Sequence, residues 1–297
     1  MPEFTTLIGG LSFTECPRWR DGRLYVSDRY TYRVLAVAMD GTAEIYVHTP
    51  GQLPCGLGFL PDGRLLITSM LDRKILRREH DGSLVEHADL SALAPWQVND
   101  MLVDHEGRAW VGNFGFDLMR GAQARPTAII CVDPNGTAKF AADGLNFPNG
   151  TVLTADRRTL IVAETMANRL SAFTVSGNIL SERRIWAEFG DPPTTNDVAE
   201  ILARAEVVPD GICLDAEGAI WVADVLNNRL LRVAEGGNIL EERKTGDDNA
   251  FACMLGGEDG CTLFACVAPT FREPEVADNH RASILMTRVN VPHAGLP

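Results

Sequence analysis

The chain has 297 residues, 45% of them apolar, a formal net charge of −13 and a pI near 4.9. Apolar content of that order supplies a sizeable core, and the acidic balance argues against nucleic-acid or anionic-membrane partners. No run of eighteen apolar residues occurs, so no membrane span is predicted. The opening "MPEFTTLIGG" lacks the basic-then-apolar order of a signal peptide. Seven cysteines with no C-x-x-C pair suit a reducing compartment and free thiols. A cytoplasmic protein is expected.

Taken in chain order, the predicted elements repeat. A short apolar strand, an acidic or glycine turn and a second apolar strand recur as "DGRLYVSD" (21–28), "DGRLLITS" (62–69), "EGRAWVGN" (106–113), "DRRTLIVAE" (156–164), "EGAIWVAD" (217–224) and "DGCTLFAC" (259–266). The turn positions 22, 63, 107, 157, 218 and 260 are 41, 44, 50, 61 and 42 residues apart. Asp-Gly between alternating apolar runs is a strong hairpin signal. Repeats of this length, each with several short strands, are the signature of a β-propeller. Most intervals leave no room for the helices of a parallel α/β array. The expected fold is therefore all-β, a single six-bladed propeller domain over 1–297. A strand near 4–8 joins a late strand at 281–291 to close the ring in the last blade. Two excursions interrupt the repeat. One is 113–127; the other is 186–206, whose second half has helical spacing at Val198, Ile201 and Leu202. Both are expected at the pocket mouth, because loops on a rigid scaffold commonly set substrate choice.

Counting back from the turns reveals a second register. Eight residues before positions 63, 107, 157, 218 and 260 stand Cys55, Asn99, Asn149, Asp210 and Ala252; Glu15 stands seven before Gly22. The first strand of a propeller blade lines the central channel, so these positions form a ring at one height. Proline interrupts a strand ladder and a buried carboxylate is costly, so Pro209-Asp210 inside a strand asks for a reason. Any one Asn-Gly or Asp-Gly alone is an ordinary turn former. Four oxygen-bearing side chains in register, two of them carboxylates, instead suit a hard or borderline divalent cation. None of the six histidines falls in the ring. Cys55 reads as a small strand residue, and Cys213, Cys253, Cys261 and Cys266 as core. Trp19, Trp110 and Trp221 occupy matching places and read as inter-blade packing.

"ECPRW" (15–19), "VND" (98–100), "FPNG" (147–150), "VPDGICLDAEGAIWVA" (208–223) and "FACMLGGEDG" (251–260) resemble the senescence-marker-protein, gluconolactonase and luciferin-regenerating-enzyme family over essentially the whole chain. The resemblance implies a six-bladed propeller with one divalent cation, calcium, zinc, manganese or iron, held by Glu15, Asn149 and Asp210. It implies substrate contact by Asn99, with Asp100 beside it. Two positions depart from the family pattern: Cys16 replaces the usual glycine, and Gln97 replaces an arginine common in members acting on sugar lactones.

The implied chemistry is lactone hydrolysis. A cation polarises the carbonyl and acidifies a water, and Asp210 is the candidate base. Gln97 and Asn99 orient the substrate, Gln97 projecting beside Asn99 by strand alternation. A neutral amide at 97 predicts a shift towards less hydroxylated lactones. Phe114 and Phe116, in the first excursion, read either as pocket wall or as loop packing. No G-x-S-x-G elbow occurs, which disfavours a covalent acyl-enzyme. The expected partner is a small lactone and the assembly a monomer or small homo-oligomer. Phosphotriester hydrolysis of the diisopropylfluorophosphatase type, or a non-catalytic calcium-binding regulatory propeller, are the alternatives.

Overall fold

The computed structural model describes residues 3–295 and contains six four-stranded antiparallel sheets. In the first blade the strands run Thr14–Arg20, Arg23–Asp28, Arg33–Val37 and Ala43–His48. The innermost strands of the next five blades are Pro54–Phe59, Val98–Val103, Pro148–Leu153, Pro209–Leu214 and Asn249–Gly256. Each innermost strand touches those of both neighbouring blades, all the way round the ring. The N-terminal strand Thr5–Leu11 is the outermost strand of the last blade, paired with Ala282–Arg288. The fold is the six-bladed propeller expected, and the last blade is completed by the two ends of the described chain.

The local sequence explains the channel. Every innermost strand carries a bulge at the ring position, where the register slips between Glu15 and Arg18, Pro54 and Leu57, Val98 and Met101, Pro148 and Thr151, Pro209 and Ile212, and Ala250 and Ala252. A bulge inserts one residue and re-aims its side chain. Proline is tolerated there because it begins the strand, where no ladder donor is needed. Small residues follow because the strands nearly touch: a Cβ on Gly150 would lie 2.5 Å from the Asp210 carbonyl oxygen. Among the ring residues' neighbours, Cys16 takes the left-handed conformation at φ 53°, which costs an L-residue about 1–2 kcal/mol.

Between blades the core is aromatic and aliphatic. Trp19 stacks on Phe264 of the last blade with ring centroids 5.5 Å apart. Trp110 and Trp221 are fully buried among residues of two adjoining blades. Cys213, Cys253 and Cys266 lie in the core, whereas Cys261 is only half-buried because it sits beside the hairpin turn rather than within the strand.

A second set of carboxylates clasps the blades. Asp28, Glu164 and Asp224, each fully buried, end the second strands of blades one, four and five. Asp28 accepts from the Ser12 and Phe13 backbone N–H groups, the Thr31 hydroxyl and Arg33. Glu164 accepts from Asn146 N–H at 2.8 Å and from Arg169 and Arg183 at 3.0 and 2.7 Å. Asp224 accepts from Val208 N–H and Arg229. Burial alone would raise the Asp28 and Glu164 carboxyls; these hydrogen bonds outweigh it and hold both below their ordinary values.

Candidate active site

The bulges bring Glu15, Asn99, Asn149 and Asp210 to one pocket at the top of the channel, all of them buried. Each side chain is positioned from its own blade. Thr165 donates its hydroxyl proton to the Pro209 carbonyl at 2.9 Å, so Asn149 must offer Thr165 its Nδ2 at 3.1 Å. The Oδ1 of Asn149 is thereby turned away from Thr165 as an acceptor. Thr68 donates to the Asn99 carbonyl at 2.8 Å and accepts from Gly56 N–H, pinning two adjacent bulges together. Ser27 performs the same service for the Cys55 carbonyl.

Two further groups enter the ring. Arg29, itself buried, forms an ion pair with Glu15 and places its guanidinium carbon 4.9 Å from the Phe13 ring centroid. The Cys55 thiol lies 3.2 Å from Glu15 Oε2, 3.3 Å from Asn99 Oδ1 and 3.5 Å from Cys16 Sγ. Glu15, Cys16 and Cys55 accordingly form a cluster with metal-ligand spacing. Burial pushes both thiols up, keeping them protonated at neutral pH. Cys55 therefore acts as a hydrogen-bond donor to Glu15 and Asn99 rather than as a nucleophile. Because the thiol donates to Asn99 Oδ1, the Nδ2 of Asn99 is left as a donor.

The charges do not balance. Burial raises the Glu15 carboxyl, against the opposing pull of Arg29. Asp210 is pushed well above the usual carboxylate range by burial and by the Glu15 charge, although Arg29 and an Asn149 hydrogen bond oppose it. Among the described residues no cation forms an ion pair with Asp210, unlike Glu15. A buried charge without a partner is expensive, and a divalent cation between Glu15, Asn149 and Asp210 would offset it. The donor set fits such an ion.

The remaining residues singled out from the sequence are distributed as follows. Asp100 is buried but pairs with Arg18 at 2.8 Å and accepts from Met101 N–H instead of lining the pocket. Gln97 precedes its strand, is half-buried, passes its carbonyl to Phe114 N–H at 3.0 Å and is not among the lining residues. Strand alternation fails here because the bulge after Val98 breaks the period of two. Phe114 lines the pocket and Phe116 packs edge-on against Phe147, one layer back. Leu118 and Met119 from the first excursion and Leu202 from the second reach the pocket. Leu202 lies on the helix Val198–Arg204, capped by the Asp197 carboxylate.

Arg29 and Thr165 were not singled out by the count back from the turns. A count forward finds them. Seven residues after turn positions 22, 63, 107 and 218 stand Arg29, Met70, Phe114 and Val225, and eight after 157 stands Thr165. Four of these five line the pocket, so a second ring sits on the rim of the first.

The SMP-30/Gluconolactonase/LRE-like region matches residues 13–268. The chain belongs to this family. A 6-deoxy-6-sulfogluconolactonase from Pseudomonas putida is 26% identical over 290 residues, covering 95% of this chain and 93% of that protein. The match to Oryctolagus cuniculus regucalcin, 25% identical, spans 60% of this chain and 57% of that protein. Among solved structures, a luciferin-regenerating enzyme superposes with a TM-score of 0.80 at 16% identity, covering 99% and 97% of the two chains. The calcium-binding protein regucalcin of Agrobacterium tumefaciens gives 0.75 at 17%, covering 99% and 98%. At such identities the structures speak to the fold alone. No helix among the described residues is long and apolar enough to cross a membrane.

Proposed function

We propose that this protein is a divalent-cation-dependent lactonase, opening a small lactone to its hydroxy acid within one propeller domain. The observation that carries the reading is the convergence of Glu15, Asn149, Asp210 and Asn99 from four separate blades on one pocket, with no cation among the described residues in an ion pair with Asp210. The family and its gluconolactonase members support it. Glu15, Asn149 and Asp210 would hold the ion; their oxygens suit calcium or manganese, while the neighbouring Cys55 and Cys16 thiols leave zinc or iron open. A cation bound there supplies Lewis acidity to a lactone carbonyl and to water.

The chain's own groups do the rest. Asn99 donates from Nδ2 to a substrate oxygen, its orientation set by the Cys55 thiol. Asp210 accepts a proton from water as the water oxygen bonds to the carbonyl carbon. The ring C–O bond then breaks, and that proton passes to the departing alkoxide. Arg29 pairs with Glu15 and favours its ionised form against the opposing effect of burial. Apolar walls exclude bulk water, strengthening each of these polar contacts.

The test is to strip the protein with chelator, reload it with one metal at a time, and follow acid release from a lactone panel in weak buffer. Activity returning with metal supports the reading. Full turnover by the stripped protein would remove the cation from the mechanism. Stoichiometric cation binding with no lactone turned over would favour a regulatory propeller.

A further inference from the structure

The pocket above the ring has roughly 550 Å³ of space, counting its open mouth. Twelve of its eighteen lining side chains are apolar. The six others are the four ring residues, Arg29 and Thr165. The four ring residues form the floor beside the cation site, Arg29 pairs with Glu15, and Thr165 bridges Asn149 and Pro209. The walls therefore hold no polar side chain to receive a substrate hydroxyl. A hydroxyl buried there would lose its water partners and gain none.

The walls are built in a definite way. Phe13 and Phe251 form an edge-on pair with centroids 4.7 Å apart, contributed by the first and last blades. Phe114 and Phe147 form a tilted pair at 4.3 Å, contributed by the third and fourth. In a six-bladed ring those blade pairs stand opposite one another, so the two aromatic pairs flank the channel. At the mouth Met119 and Leu226 are 43% and 40% exposed. Large apolar side chains left open to water at the entrance of an apolar pocket mark a binding surface.

We propose that the substrate is a lactone carrying an apolar alkyl or aryl substituent. The ester group lies over the ring residues, and the substituent lies between the two aromatic pairs and leaves past Met119. Polyhydroxylated lactones are disfavoured by the walls. This rests on the lactonase reading and names its substrate class.

The experiment uses the metal-reloaded full chain and a series of γ-lactones bearing no substituent, ethyl, butyl or hexyl at the carbon next to the ring oxygen, with an aldonolactone alongside. The expected kcat/KM rises about fourfold per methylene buried, until the pocket is filled, and is lowest for the aldonolactone. Met119→Glu, at an exposed position compatible with folding, should flatten that dependence on chain length. A flat or falling series with the aldonolactone preferred overturns the substrate class and leaves the lactonase reading standing. No turnover of any member, under any metal, removes both.

Discussion

The propeller contains two sets of buried carboxylates, and they are treated in opposite ways. Asp28, Glu164 and Asp224 close their blades surrounded by donors: backbone N–H groups, hydroxyls and arginines. Their charge is fully compensated, and the compensation is what joins one strand to the next. Glu15 and Asp210 are also buried, yet Arg29 pairs with Glu15 and no cation among the described residues forms an ion pair with Asp210. The first arrangement serves the fold. The second is costly in the protein alone and would become favourable with a cation bound as proposed, a difference common between functional sites and structural ion pairs.

The sharpest way to break this contrast is a pair of substitutions. Asp210→Ala should cut lactone kcat/KM by about 10²–10⁴-fold, the range for a lost general base, without lowering the melting temperature of the metal-free protein. Glu164→Ala should leave the site intact and lower unfolding free energy by roughly 3 kcal/mol, since it strands buried donors around Arg169. Chemical denaturation and steady-state kinetics on both variants decide it; equal destabilisation by the two would erase the distinction.

The pH dependence of stability should have opposite signs in the two regions. Glu164 is held below its ordinary 4.5, so its contribution is present above that value and lost as pH falls through the lower folded value. Asp210 is raised well above its ordinary 3.8. Its contribution is therefore present below that value and lost as pH rises through the folded value. Metal-free protein should lose stability from about pH 4 upward, relative to Asp210→Asn; Glu164→Gln should instead be penalised least in acid. Saturating metal should abolish the first effect only. Melting curves across pH, with and without chelator, provide the check.

Arg29 links the two arrangements, being a structural cation placed on a functional carboxylate. Arg29→Gln should lower the melting temperature of the metal-free protein, since it leaves two uncompensated carboxylates, and should enlarge the rise on adding metal. Calorimetry should show metal bound about tenfold more tightly, because the ion no longer competes for Glu15. Unchanged affinity would show that the ion does not use Glu15. The smallest expected effect concerns Cys16, whose φ of 53° favours glycine. Cys16→Gly should be more stable than Cys16→Ala by about 1 kcal/mol, both variants losing the same thiol packing; a reversed order would mean the backbone relaxes at that bulge.

Much of this was open to reading from the chain alone. Hairpins depend on neighbouring residues, so Asp-Gly turns between alternating apolar runs marked six blades and their spacing. A repeat also preserves register, so a constant count from each turn aligned Glu15, Asn99, Asn149 and Asp210 without any knowledge of the ring. The helix at Val198–Arg204 and the reach of both excursions followed from local periodicity and length. What the tertiary structure alone decided arises where the period of two breaks. The bulges turn successive residues in different directions, so Asp100 points to Arg18, 82 positions away, while its neighbour Asn99 faces the pocket. The same break leaves Gln97 off the lining. Arg29 meets Glu15 within its own blade but reaches Cys55 only because the ring brings blades one and two together. Alternation and turn chemistry act over a few residues; which buried charge finds a partner depends on packing between blades, and no local pattern carries that information.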